Sequence, residues 1–191
     1  MITIEPPLSK NVQIDGWSAW DLSRLSVTRF SNKAQAVVGL TGEVEILLTG
    51  DSTLRRLNRD FRSKDKPTDV LSFPPSREFG GGHAGDLAIS LQTAKRQAVE
   101  HGHTLLDEVR ILLLHGFLHL AGMDHEVDRG EMAEREAMLR KQLGIPVGLI
   151  ERVTDPEKRV FETEINGLKS SLKRDTRPLK QHEKRLKRVT A

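Results

Sequence analysis

His115-Gly-Phe-Leu-His-Leu-Ala-Gly-Met-Asp-His125 holds three of the chain's seven histidines. The run before it, Val109-Arg110-Ile111-Leu112-Leu113-Leu114, is apolar apart from one arginine and continues into Phe117, Leu118 and Leu120. Such a run predicts a buried helix, started at Thr104 or a neighbour, with His115 and His119 one turn apart on a single face. Gly122 ends that helix, because glycine accepts the left-handed backbone with which a chain leaves a helix. The reversal brings His125 back beside the other two rings. Three imidazoles then converge on one point.

Three neutral imidazoles suit a divalent transition metal, zinc first, at one ion per chain, with His115, His119 and His125 as ligands and a fourth position left for water. A structural zinc would be enclosed by four protein ligands, usually including thiolates, and this chain has no cysteine. The open position points to catalysis. A lone histidine on an apolar helix is ordinarily a hydrogen-bonded core residue, but three at ligand spacing with a helix-ending glycine between the second and third are a different pattern. The spacing is shared with the extended motif of zinc peptidases, in which a glutamate after the first histidine is the general base. That place holds Gly116 here, so a peptidase reading lacks its proton carrier.

A second informative stretch lies upstream: Leu57-Asn-Arg-Asp-Phe-Arg-Ser-Lys-Asp-Lys-Pro-Thr-Asp-Val-Leu-Ser-Phe73. Its polar, basic, proline-interrupted middle leads into the strand-like Val70–Phe73, so Arg62, Lys64 and Lys66 cluster beside a sheet edge. A guanidinium fork fits phosphate and carboxylate equally well, and Arg62 reads as either a phosphate contact or half of a structural ion pair.

Both stretches resemble the YbeY family, whose signatures are His-Gly-x-Leu-His-Leu-x-Gly-x-Asp-His and Leu-Asn-x2-Tyr/Phe-Arg-x-Lys-Asp-x-Pro-Thr-Asp/Asn-Val-Leu-Ser-Phe. The likeness carries clear motifs from about Val44 to Gly144. It implies a single-strand-specific endoribonuclease of 16S ribosomal RNA 3′-end maturation and ribosome quality control. The implied partners are single-stranded RNA, an rRNA precursor, and the ribosome or its small-subunit proteins. By the same match Arg62 corresponds to the family's functional arginine. The expected catalytic residues are therefore Arg62 and His115, and the expected chemistry is phosphodiester hydrolysis by water on the metal, with Arg62 neutralising charge that develops on the phosphate. Two other classes share the ligands: a non-catalytic ribosome-assembly factor with a structural metal, and a zinc peptidase.

A length of 191 residues fits one domain with a real core and some excess. The absence of cysteine fits a reducing cytoplasm, and no signal peptide or membrane span is legible. Charge divides the chain. From Lys169 to Ala191 nine basic side chains face two acidic ones, +7, which leaves −4 for the rest of a chain of net +3. The expected domains are a metal-dependent nuclease domain over 1–152 and a basic, partly disordered extension over 153–191. Leu168, Leu172, Leu179, Leu186 and Val189 mark one face of a basic helix there, suited to electrostatic attachment to RNA or simply solvated.

The remaining elements are read from pattern. Met1–Glu5 and Val12–Ile14 read as short strands; from Asp15 a helix carries Trp17, Trp20, Leu22, Leu25 and Val27 as core. Ala36–Leu40 and Val44–Thr49 read as a hairpin about Thr41-Gly42-Glu43. Asp51 or Ser52 caps a helix that packs Leu54, Leu57 and Phe61 and turns Arg55, Arg56 and Arg59 outward. Arg77–Ala84, with three glycines and His83, reads as a loop in which His83 is an extra ligand or a solvated side chain. Gly85–Ser90 is a strand, and Asp86 is either a carboxylate behind a metal histidine or a turn former. Helices are expected over Leu91–His101, ended by Gly102, and over Arg129–Leu143, ended by Gly144-Ile-Pro146. The expected fold is α+β: a small mixed sheet with packed helices and a zincin-like metal-binding helix.

Overall fold

The computed structural model describes residues 1–4, 22, 24–75 and 82–146. In chain order these form β1 (Ile2–Ile4), α1 (Arg24–Val38), β2 (Glu43–Thr49), α2 (Asp51–Arg62), β3 (Val70–Phe73), β4 (His83–Ser90), α3 (Leu91–His101), α4 (Leu105–Leu120) and α5 (Glu131–Leu143). The sheet runs β1-β2-β4-β3. The first two pairings are parallel, and β3 joins antiparallel as an edge. The fold is α+β with a small mixed sheet, as the pattern predicts.

Side chains on a strand alternate between faces, and that alternation sorts the helices. Ile46, Leu48, Leu87 and Ile89 face the larger core with residues of α1, α4 and α5. Leu47, Leu71, Ala88 and Phe73 face the other way, onto Leu54 and Leu57 of α2. α4 is apolar on every side because it is enclosed: Val109, Ile111, Leu112, Leu113, Leu114 and Phe117 are fully buried. Truncating one of these leucines to alanine costs about 2–5 kcal/mol.

The ends of α4 are fixed locally. Thr104 Oγ accepts the Asp107 backbone N–H at 3.1 Å, as a cap should. At the other end Gly122 takes φ +87°. Its N–H donates to His119 O and that of Met123 to Leu118 O, which satisfies two terminal carbonyls.

Several expectations are corrected. Ala36–Val38 form the last turn of α1, not a strand, because Val37 and Val38 extend the helical stripe of Phe30 and Ala34 against the core. β2 has parallel partners on both sides, so no hairpin joins it to residues 36–40. Within α1 Leu25 points to solvent while Val27 is buried. Asp51 does not cap α2, whose cap position is Gly50 without a side-chain bond. Its carboxylate instead accepts from Thr93 Oγ at 2.7 Å, Arg96 at 2.9 Å and the Ser90 hydroxyl, tying α2 to the start of α3. Phe61 is 67% exposed and touches the protein through Phe73. His83 and Ala84 belong to β4 rather than to a loop. The helix expected over Leu91–His101 is reproduced: α3 ends at Gly102, φ +70°. α5 begins two residues later than expected, after Asp128 accepts the N–H groups of Gly130 and Met132.

The strand expected over 12–14, Trp17, Trp20 and the loop residues 77–81 lie outside the described residues, as does the extension 153–191.

Candidate metal centre

His115 and His119 occupy consecutive turns at the C-terminal end of α4, and the turn through Gly122 brings His125 to them. The ring centroids of His115, His119 and His125 are 4.7, 5.1 and 5.3 Å apart. Nε2 of His115 and Nε2 of His119 face each other at 3.1 Å, and one ring nitrogen of His125 lies within 4.8 Å of both. Two zinc–nitrogen bonds of about 2.05 Å at a tetrahedral angle place their nitrogens about 3.3 Å apart. The first edge of the triangle is therefore already at ligand spacing.

The surroundings keep the His119 ring neutral. Burial, which disfavours the charged ring, pushes the His119 imidazole below its ordinary value. Proximity of His115 and His125 pushes it the same way, against Asp124 and a backbone bond at Met123. A neutral ring keeps its lone pair for a metal. The C-terminal end of α4 also carries the negative end of the helix dipole. The buried Nδ1 atoms of His115 and His125 find no hydrogen-bond partner among the described residues. Three imidazole donors in a chain without cysteine fit zinc or a similar divalent ion.

Sequence reasoning missed the carboxylate nearest the site. Glu136, on α5, places Oε2 3.7 Å from His115 Nδ1, with both side chains buried, at 2% and 5% exposure. That distance is too long for a direct hydrogen bond but short enough for an ion pair if the ring is charged. A carboxylate behind a ligating imidazole fixes its tautomer and raises its basicity. The signal was present: Met132, Glu136 and Leu139 share one helical face, and an acid in an otherwise apolar stripe marks an inward-facing charge.

Asp86 does not take that part. On β4 residues 85, 87 and 89 face α4, and Asp86, paired with Phe73, faces α2. Its oxygen instead meets His83 Nε2 at 3.2 Å, so neither residue reaches the three histidines. Arg62 stands exposed in the last turn of α2, on the other face of the sheet from α4. It makes no hydrogen bond or ion pair with the described residues, which removes the structural ion pair as its explanation there.

Gly116 faces the sheet where α4 lies closest to it. A Cβ there would sit 2.8 Å from Leu87 Cδ2 and 3.4 Å from Ser72 Oγ. Leu87 is itself packed on all sides, so the peptidase glutamate has no space at this position. Among the described residues no helix is long and apolar enough to cross a membrane.

Comparison with known proteins agrees with this geometry. The family described as "Endoribonuclease YbeY" matches residues 10–144. The chain is 56% identical over 132 residues to the endoribonuclease YbeY of Solibacter usitatus (strain Ellin6076), which spans 69% of this chain and 87% of that one. It is 51% identical over 138 residues to the protein of the same name from Koribacter versatilis (strain Ellin345), spanning 72% and 89%. With the Helicobacter pylori (strain Shi470) protein the identity is 38% over 144 residues, 75% of this chain and 99% of its relative. The matched residues include the helix, the turn and the three histidines, and the chain belongs to the YbeY endoribonuclease family.

Proposed function

We propose that the chain is a metal-dependent, single-strand-specific endoribonuclease that hydrolyses phosphodiesters in 16S rRNA 3′-end maturation and ribosome quality control. The observation that carries this reading is the triangle of imidazole nitrogens, all within 4.8 Å, at the end of a helix bearing the family signature. His115, His119 and His125 would hold the ion, zinc by donor chemistry. When bound, such an ion lowers the pKa of its water to about 7 and polarises a phosphoryl oxygen.

The chain's own groups do the rest. Glu136, its Oε2 3.7 Å behind His115 Nδ1, would on closing to hydrogen-bond distance hold that ring with Nε2 toward the ion. Gly116 lets α4 pack against β3 and β4 and carries no side chain to act as a base at the position after the first histidine. Asp124 is committed to its own turn, where it accepts the Glu126 N–H at 3.0 Å. Arg62, exposed at the end of α2 and free of protein partners among the described residues, would reach round the end of β3 to a phosphate whose charge grows in the transition state. Residues 1–152 form the nuclease domain, and the extension 153–191, at the basic end of the chain, attaches to RNA through charge.

Purified full-length protein given a single-stranded RNA and the same sequence as a duplex tests this. Cleavage of the single strand alone is expected, with Arg62→Ala slower by about 10- to 1000-fold. Equal cutting of the duplex contradicts the specificity. Cutting by Arg62→Ala at the wild-type rate removes Arg62 from the site.

A further inference from the structure

α2 and α4 end at the same corner of the sheet, one on each face. Leu120, the last residue of α4, lies over Gly85 of β4; a Cβ built there would be 2.7 Å from Leu120 and 2.6 Å from the Phe73 carbonyl of β3. On the opposite face the Phe73 ring meets that of Phe61, centroids 5.1 Å apart and planes at 72°. Phe61 is thus set at the end of the edge strand whose other face carries the histidine helix. Phe61 is 67% exposed, the only aromatic among the described large apolar side chains left to solvent.

The loop after Phe61 is basic and held in place. Ser63 adopts φ +56°, the one positive φ among described non-glycine residues, and its N–H closes the helix on Arg59 O. Buried Asn58 donates to Lys66 O at 2.8 Å, and Arg55 grips Asp65 through two bonds of 2.8 Å. The loop therefore has a fixed shape, built at some backbone cost of the kind found where surroundings hold a functional segment. It presents the Arg62, Lys64 and Lys66 side chains to solvent without a hydrogen bond or ion pair to any described residue.

An exposed ring beside unpaired cations matches the chemistry of a single nucleic-acid strand, whose bases stack on aromatic faces while its phosphates track positive charge. A duplex keeps its bases stacked inside and offers none to such a ring. From this corner, and resting on the nuclease reading above, we infer that Phe61 is a base-stacking platform for single-stranded RNA. Lys64 and Lys66 hold the flanking phosphates, and the strand passes round the end of β3 from α2 to the histidines of α4. Selection of single strands then begins before any phosphate reaches the metal.

The test uses full-length protein and a short single-stranded RNA carrying one 2-aminopurine, with anisotropy and fluorescence read before product accumulates. Wild type quenches the 2-aminopurine on binding. Phe61→Ala loses the quench and binds about 5- to 150-fold more weakly, the range of one base–aromatic stack. Phe61→Tyr and Phe61→Trp retain both, whereas Phe61→Leu, which keeps an apolar contact with Phe73 but has no ring to stack, loses both, and this separates stacking from loss of the Phe73 contact. The same RNA with an abasic site in place of the probe loses affinity for wild type and nothing further for Phe61→Ala. Folded Phe61→Ala that binds, quenches and cuts as wild type does overturns the stacking role alone. Wild type that neither binds nor cuts single-stranded RNA overturns the nuclease reading and the platform with it.

Discussion

Gly116 and Leu87 meet so closely that no side chain fits between α4 and β4: an added Cβ would stand 2.8 Å from Leu87 Cδ2. This contact seats the histidine helix against the sheet and leaves no room for an acidic side chain at position 116. Helix propensity alone makes Gly116→Ala favourable by about 1 kcal/mol. Overpacking opposes that by about 1–3 kcal/mol. A net loss of stability is expected, read as a lower denaturant midpoint, and Leu87→Ala in the same chain relieves it. Additive losses in the double variant contradict the contact.

Glu136 predicts a metal effect without a ligand change. Glu136→Gln keeps the shape of the side chain but loses the charge behind His115 Nδ1. Zinc affinity measured by competition with a chromophoric chelator should fall by about 10- to 100-fold. Unchanged affinity would leave Glu136 as no more than a buried acid.

Gly122 stands in the left-handed region at φ +87° with open space around a Cβ, so backbone strain is the whole cost of a substitution there. Gly122→Ala should lose about 1–2 kcal/mol. Because the same turn aims His125, metal affinity should fall as well. A stability loss with full metal affinity shows that the turn and the ligand are independent.

Asp51 gives the pH dependence. Burial raises its pKa, but hydrogen bonds from Ser90, Thr93 and Arg96, with the charge of Arg96, outweigh that and hold it below 3.8. The folded state therefore binds its proton more weakly than the unfolded state does. The stability contributed is fully present above the unfolded value and is lost as pH falls through the folded one. Asp51→Asn should be less stable than wild type at pH 7 by about 1 kcal/mol, after allowance for solvent exposure. The gap should close in acid. A difference that stays constant as the pH is lowered contradicts this origin.

Legibility in the sequence differs from element to element. α4, its Thr104 cap, its Gly122 exit and the three ligands are legible, since a long apolar run, a hydroxyl and a glycine each act within a few residues. Ala36–Leu40 is not, because a short apolar run fits strand and helix alike, and the packing of α1 on α4 decides between them. The facing of Asp86 is hidden because alternation along a strand tells which residues share a face but not which helix covers it. Glu136 stands out as an oddity of α5, yet its partner comes from a helix earlier in the chain. Phe61 reads as core from helical spacing, whereas α2 ends at the sheet's edge and leaves its last turn uncovered.

By the function proposed above, His115, His119 and His125 hold a metal that the nuclease requires. Cleavage of one single-stranded RNA and metal content, determined on the same samples of wild type, chelator-treated wild type, zinc-restored wild type and His115→Ala, test it most directly. About one ion per chain and cutting are expected in the untreated and restored samples, and neither metal nor cutting in the chelated protein or in folded His115→Ala. Cutting by metal-free protein or by His115→Ala at the wild-type rate would contradict it.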